Sequence, residues 1–186
     1  MSTAEVRGAT IEDVPEIARI QRDTWRTAYA EMLGPRALGE LDSDGIEQRW
    51  AAAITHPETD VYVAAEGDFT VGFCVAGLAP EEDVTAADGS LPEDAGEVGL
   101  VATLLVEPRW GRRGHGGRLL ATAAAGLRSA GAQRAVAWVA QADSASLAFY
   151  RRADWHPDKT VRVLDTGEKT IREIRLTGGL DLHLTE

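Results

Sequence analysis

A glycine- and arginine-rich stretch is the part of this sequence best suited to binding chemistry. Residues 106–120 read VEPRWGRRGHGGRLL and hold four arginines and four glycines against one acid. An apolar segment precedes the stretch, and an amphipathic helical pattern follows it. The free N–H groups of a helix N-terminus attract anions, and glycine lets an anion approach the backbone closely. The stretch therefore predicts a phosphate site or, read alone, a tight turn with solvated arginines.

The glycine spacing excludes two common nucleotide motifs. A P-loop ends in Gly-Lys-Ser/Thr, and this stretch has no lysine. A dinucleotide fingerprint reads GxGxxG, whereas Gly111, Gly114 and Gly116 are spaced GxxGxG. A bound phosphate would therefore belong to another class of ligand.

The elements around this stretch predict an α/β fold with a mixed sheet. The continuous apolar run at 99–106 is typical of a central strand. Strands and helices then alternate, which indicates parallel strands joined by a right-handed crossover. Hairpin patterns before and after this unit indicate antiparallel pairs. The predicted strands are 4–10, 61–66, 70–79, 99–106, 135–140, 160–165 and 171–176, and the predicted helices are 12–31, 45–55, the segment after the glycines up to Gly131, and 144–152.

Two further segments have distinctive patterns. Gly34-Pro35 is predicted to end the N-terminal helix, because proline removes a backbone donor and glycine readily leaves the helical region. Residues 81–97 contain seven acids and no base, and we expect an exposed loop there. A sharper interpretation is that these acids attract a cationic amine.

Composition bounds the class of protein. The chain has 186 residues, 44% of them hydrophobic, and a formal net charge of −11, which suits one globular domain over 1–186. The acidic balance argues against nucleic-acid binding, and no apolar run is long enough for a membrane span. With no secretory signal, a cytoplasmic location is expected. The lone Cys74 excludes an internal disulfide, no residues have metal-ligand spacing, and Cys74 itself is predicted to be a small buried hydrophobe.

Several motifs together carry a family resemblance. V-x-P is followed by GRRGHG, a helix, a strand, and D-x-x-x-x-x-F-Y ahead of a final hairpin. This arrangement over residues 99–155 resembles the GNAT (GCN5-related) N-acetyltransferase superfamily. The segment IEDVPEIARIQRDTWRTAYAEML is also similar to the N-terminal helices of a subgroup that includes polyamine acetyltransferases. The resemblance implies the GNAT fold, with six to seven strands in a mixed sheet flanked by about four helices.

The resemblance implies acetyl-CoA as the second substrate and a set of residues that bind it. Backbone groups at the end of the central strand would pair with the pantetheine arm and polarise the thioester carbonyl. The glycine loop would hold the pyrophosphate, with backbone N–H groups as the main contacts. The implied cofactor-binding residues are Leu104, Leu105, Val106, Arg112, Arg113, Gly114, His115, Gly116, Gly117 and Asp143. Gly111 departs from the Gln or Arg usual in the family.

The resemblance also implies catalytic roles. Tyr150 stands at the position of the family's general acid, although helical periodicity alone favours core packing. Glu97 is the only acid near the start of the central strand and is a candidate base. Its nine-residue separation from Val106 places it on the opposite face of an unbulged strand. A base acting through water, or an amine that arrives neutral, is the alternative. Trp138 replaces the glutamate base of some relatives.

Trp25 and Tyr29 are candidate substrate-binding residues. They lie four apart and so share one face of the N-terminal helix. Core packing is the other interpretation of this pair.

The leading functional expectation is an N-acetyltransferase that acts on a primary amine of a small molecule. A protein N-terminus or lysine is an alternative acceptor, and a catalytically inactive acyl-CoA-binding sensor is an alternative from another class. We expect acetyl-CoA and a small amine as partners, with no metal, nucleic acid or membrane. A homodimer is left open.

Overall fold

One twisted sheet of seven strands forms the centre of the molecule. A computed structural model describes residues 3–42 and 45–182. The strand order is β1-β2-β3-β4-β5-β7-β6, and only β4 and β5 run parallel as neighbours. The predicted α/β fold with a mixed sheet is therefore confirmed. The strands are β1 Ala4–Gly8, β2 Asp60–Glu66, β3 Phe69–Leu78, β4 Val98–Val106, β5 Arg134–Ala140, β6 His156–Asp165 and β7 Thr170–Gly179.

Helices cover both faces of the sheet. The described residues form α1 Val14–Ala28, α2 Ala30–Glu40, α3 Gly45–Thr55, α4 Glu81–Val84, α5 His115–Ser129 and α6 Ser144–Arg152. On one face, α5 and α6 share a buried cluster with inward residues of β3, β4 and β5. On the other, α1 and α3 pack against a separate apolar cluster around Phe73. The central strands are apolar throughout because both of their faces are buried.

The prediction that Gly34-Pro35 ends the N-terminal helix is wrong, because α1 already ends at Ala28 and Gly34-Pro35 instead interrupts α2. Gly34 adopts φ 78°, and the helix runs on through Glu40. The break creates a new helix N-terminus, where the Arg36 N–H donates to the Glu168 carboxylate at 2.9 Å. A Cβ at Gly34 would lie 2.8 Å from a Glu168 oxygen, so glycine also makes room for this cap. The turn between β6 and β7 is thereby joined to α2.

The expectation of an exposed loop at 81–97 is wrong in part, because the segment packs against the sheet at two places. Val84 is 2% exposed and packs against Val98 and Val136. Asp83 accepts a hydrogen bond from the Trp138 indole at 2.9 Å, and Asp94 accepts two from Arg134 at 2.6 and 2.9 Å. The longest exposed run is residues 87–91, in the middle of the segment, and flanking side chains such as Glu82 and Glu97 are exposed as well. These partners come from distant strands, so the local acidic composition gave no sign of the docking.

Within residues 3–42 and 45–182, none of the helices combines the length and apolar character that a membrane crossing requires.

Candidate active site

The parallel strands β4 and β5 pair along only part of their length. Residues 98–100 of β4 lie beside residues 134–136 of β5, and the pairing ends there. Beyond that point β4 remains paired with β3 through Val106, and β5 remains paired with β7 through Ala140. The carboxyl halves of β4 and β5 therefore diverge, and we call the space between them the seam gap.

Backbone alternation shows which groups of β4 face the seam gap. The Glu107 N–H donates to the Val71 carbonyl on β3 at 2.9 Å. In an antiparallel ladder the polar groups of alternate residues point to the same side, so those of Leu105 also point to β3. Those of Leu104 and Val106 point into the seam gap. The implied pairing of three residues with the pantetheine arm thus narrows to Leu104 and Val106, for which it stays a prediction.

Glu97 lies away from the open half of the strand. It occupies the turn before β4, its side chain is exposed, and its carbonyl accepts the Gln133 N–H at 2.7 Å. A bulge does interrupt β4, since Val75 pairs with Thr103 and Ala76 with Val101. Seven residues still separate Glu97 from Leu104, which is about 23 Å along a strand. The structure does not bring Glu97 to the other candidate residues.

Tyr150 is buried beside the seam gap. Its side chain is 5% exposed and belongs to the same apolar cluster as Val139 and Leu104. The ring packs against Trp155 with centroids 5.2 Å apart, and within the described residues its hydroxyl has no hydrogen-bond partner. Burial raises the pKa of the phenol, and the neighbouring Cys74, Tyr29 and Asp143 raise it further. The hydroxyl is therefore protonated at neutral pH and free to donate.

Asp143 connects the two helical layers. Its carboxylate accepts the Ser146 N–H at 3.0 Å, which confirms the predicted N-cap of α6, and the Ser146 hydroxyl at 2.6 Å. The same carboxylate accepts the Tyr29 hydroxyl at 2.7 Å. Tyr29 follows α1 on one face of the sheet, and α6 lies on the opposite face. This hydrogen bond therefore joins the two faces beyond the carboxyl end of β5. Burial and the Asp143 hydrogen bond both raise the pKa of Tyr29.

The candidate Trp25, and Trp138 at the position of the base in some relatives, are both engaged in packing. Trp25 of α1 packs against the buried cluster of Ala18, Leu41 and Ile46. A role for Trp25 in substrate binding stays a prediction. The ring of Trp138 is covered by the Arg162 guanidinium at 4.3 Å, while its indole N–H is bound to Asp83.

The glycine loop forms a concave set of backbone donors. Gly114 is the N-cap of α5 with φ 81°, and Arg112 also has a left-handed φ of 62°. Residues with positive and negative φ that alternate along the chain turn successive N–H groups toward one point, and such a turn can bind an anion. The N–H groups of His115, Gly116 and Gly117 have no acceptor within the helix, because they occupy its first turn. We call Arg112–Gly117 the anion cradle.

The side chains of the anion cradle point in different directions. Arg112 is exposed and has no ion pair among the described residues. Arg113 stacks on Trp110 at 4.9 Å and donates to Glu66 at 3.2 Å. His115 is 1% exposed, and its Nε2 lies 2.8 Å from a Glu66 oxygen. The imidazole therefore faces the protein, and only the His115 N–H faces the cradle.

Glu66 is a residue that sequence reasoning missed. It ends β2, 49 positions before its partner His115. A single acid ahead of a turn has no local pattern that would mark it. Among the described residues, no group of three or more potential metal ligands occurs.

This chain is similar to known proteins in sequence and in fold. A model of the acetyltransferase (GNAT) family matches residues 15–155. The uncharacterized N-acetyltransferase YuaI of Bacillus subtilis (strain 168) is 31% identical over 147 residues, which is 78% of this chain and 76% of YuaI.

Two solved structures are similar in fold. The PaiA N-acetyltransferase of Thermoplasma acidophilum, in complex with coenzyme A, has a TM-score of 0.70 at 15% identity and covers 95% of this chain and 99% of its own. A ribosomal-protein-alanine N-acetyltransferase of Brucella melitensis has a TM-score of 0.72 at 17% identity, with coverages of 94% and 99%.

Proposed function

The chain belongs to the GNAT acetyltransferase family, and from that premise we propose that it transfers the acetyl group of acetyl-CoA to a primary amine of a small molecule. The observation that carries the proposal is the seam gap, where Leu104 and Val106 are not paired with β5. Tyr150, whose hydroxyl has no hydrogen-bond partner among the described residues, belongs to the apolar cluster against which these two residues pack. A gap between two strands offers an extended ligand the hydrogen bonds that a third strand would make.

Two groups of described residues support the binding of acetyl-CoA. The N–H groups of His115, Gly116 and Gly117 would hold the pyrophosphate, with Arg112 as a free cation nearby. The seam gap would take the pantetheine arm, whose amides need partners that Leu104 and Val106 can supply. The thioester at the end of that arm supplies the reactive acyl group.

Acyl transfer requires a neutral amine and a polarised carbonyl. The amine nitrogen bonds to the carbonyl carbon, and the C–S bond breaks as the sulfur leaves with the electron pair. A β4 N–H at the seam gap would stabilise the charge that develops on the carbonyl oxygen. Tyr150 would pass its proton to the departing sulfur.

Burial does not remove Tyr150 from this role. A phenol has a pKa of about 10 and a thiol about 8.5 in water, so the transfer costs about 2 kcal/mol there. Burial raises the pKa of the Cys74 thiol, which belongs to the same cluster, to about 12. A thiolate released beside Tyr150 would also lose hydration, so its pKa would rise in the same direction. Because both pKa values rise together, the difference that governs the transfer changes less than either one.

The proton of the amine has a separate route. Glu97 is remote, and the Asp143 carboxylate already accepts three hydrogen bonds. We assign the proton to water at the open end of the seam gap, or to solution before a neutral amine binds.

Two measurements test the proposal. Calorimetric titration with acetyl-CoA should show one site, and no binding at high micromolar concentration would reject the proposed donor. A thiol-release assay should then compare small amines with peptides that carry a free N-terminus or a lysine. Turnover with peptides alone would replace the small-molecule acceptor by a protein acceptor. Binding without turnover of any amine would favour a sensor.

A further inference from the structure

The contact between Glu66 and His115 ties the anion cradle to the body of the sheet. Glu66 uses both carboxylate oxygens, one toward Arg113 at 3.2 Å and the other toward His115 Nε2 at 2.8 Å. Its two partners stand on either side of Gly114, where the backbone turns left-handed at φ 81°. The Glu66 carboxylate at the end of β2 thus bonds to the residues on both sides of Gly114, and so joins the anion cradle to the sheet at two points.

The buried imidazole leaves one of its two ring nitrogens without a partner among the described residues. His115 is 1% exposed, and its Nδ1 is buried with no hydrogen-bond partner among the described residues. The nearby Trp110, whose ring centroid lies 6.5 Å away, likewise buries an unpartnered indole N–H. Because a carboxylate only accepts, Nε2 carries the hydrogen of this contact. Burying Nδ1 without a partner costs free energy that an apolar side chain would not lose. The hydrogen bond from Nε2 to Glu66 is the contribution that an apolar side chain could not make.

That bond acts on the residue whose own N–H opens the helix. His115 is the first residue of α5, so its side chain and its backbone donor share one Cα. A bond that holds the imidazole therefore also restrains the backbone N–H of His115, which is the first donor of α5. On the far side of the loop, a Cβ added at Gly116 would lie 3.1 Å from the Phe149 ring of α6, so a larger residue there would press against α6.

We propose that His115 is a positioning residue for the cofactor, and that its Nε2 bond to Glu66 holds the anion cradle in the shape that grips pyrophosphate. The inference rests on the proposed function, since it concerns the binding of coenzyme A at that site. When the loop is already ordered, binding does not have to pay the entropy cost of ordering it. Loss of the bond between His115 and Glu66 should therefore lower the affinity for CoA.

Matched substitutions separate this role from simple packing. Glutamine places its amide nitrogen near the position of His Nε2, whereas asparagine places it near Nδ1. His115→Gln can keep the bond to Glu66, and His115→Asn cannot. We expect His115→Asn, His115→Ala and Glu66→Ala to raise the Kd for CoA, measured by calorimetry, about tenfold. His115→Gln should stay within about threefold of the wild type. His156→Ala is the control, because it removes an exposed histidine that also contacts a carboxylate, Asp154 at 2.7 Å.

A truncated donor supplies the second readout. S-acetylpantetheine lacks the phosphates, so its kcat/KM should be the same in the wild type, His115→Asn and Glu66→Ala, while KM for acetyl-CoA rises with the loss of CoA affinity. Equal losses with both donors would show general structural damage and overturn the inference. CoA affinity that is unchanged in His115→Asn and Glu66→Ala would also overturn it and leave the proposed function standing. A wild-type protein that binds no CoA would reject the proposed function itself. If His115→Ala does not fold, the Gln and Asn pair and Glu66→Ala decide the question.

Discussion

The two halves of the β4–β5 seam are built from the same strands and have opposite character. In the amino half, residues 98–100 and 134–136 are paired, and the docked 81–97 segment covers them. Charges there are matched within the chain, as in the two bonds from Arg134 to Asp94. In the carboxyl half the strands part, and the hydroxyl of Tyr150 finds no partner among the residues that the structure describes.

The two halves differ in whether their polar groups are paired within the chain or remain able to bind a ligand. Polar groups that are satisfied inside the chain stabilise the sheet and have little left to offer. Buried polar groups normally find partners, so a cluster of free ones marks a place where a ligand completes the set. The amino half should therefore respond to substitution in stability, and the carboxyl half in catalysis.

Tyr150→Phe should give the largest effect. Loss of a general acid typically lowers kcat by 10²- to 10⁴-fold, and we expect about that here, with the Kd for CoA nearly unchanged. Tyr62→Phe is the control, because Tyr62 is a partly buried tyrosine on β2, away from the seam. Steady-state kinetics and calorimetry measure the two quantities. Equal losses of kcat and affinity would assign Tyr150 to packing.

Val136→Ala tests the closed half. Val136 is 0% exposed, so removing two methyl groups should lower the free energy of unfolding by about 2 kcal/mol. The kcat per folded molecule should stay the same. Chemical denaturation measures the first effect, with Val163→Ala, at a residue 61% exposed, as the control. A large fall in kcat at unchanged stability would contradict the division of the seam.

Tyr29→Phe tests the bond that crosses the open end. Asp143 keeps its two contacts with Ser146, so the loss should be about 1 kcal/mol, which is about fivefold in kcat/KM. If Tyr29 only supports Asp143, the loss should be the same for every amine. A change confined to KM for particular amines would instead make Tyr29 a substrate-binding residue.

Asp94→Asn should give the smallest effect, and it depends on pH. The Arg134 guanidinium holds the pKa of Asp94 below its ordinary value of 3.8. A lowered folded pKa stabilises the fold above the unfolded value, and that contribution is lost as the pH falls through the folded pKa. The stability difference between wild type and Asp94→Asn should be below about 1 kcal/mol at pH 7, since water screens the pair, and should shrink below pH of about 4. A difference that does not vary between pH 6 and pH 3 would contradict this.

The sequence predicted the elements better than the connections between them. The apolar run at 99–106 and the hairpins follow from local periodicity, and Gly34-Pro35 announces its break by residue type alone. The seam gap could not be predicted from local periodicity, because the point at which two strands stop pairing depends on residues far along the chain. The same limit hid Glu66, whose partner lies 49 positions away, and the docking of Asp83 on Trp138.

The cap that Glu168 gives to α2 has a consequence for how the chain is made. The helical segment after Gly34 acquires its carboxylate cap from a residue 132 positions later. During synthesis the N-terminal region leaves the ribosome long before that residue exists. Contacts between such distant positions form late and slow the final step of folding. The cap at Arg36 can therefore form only after the turn between β6 and β7 has been translated.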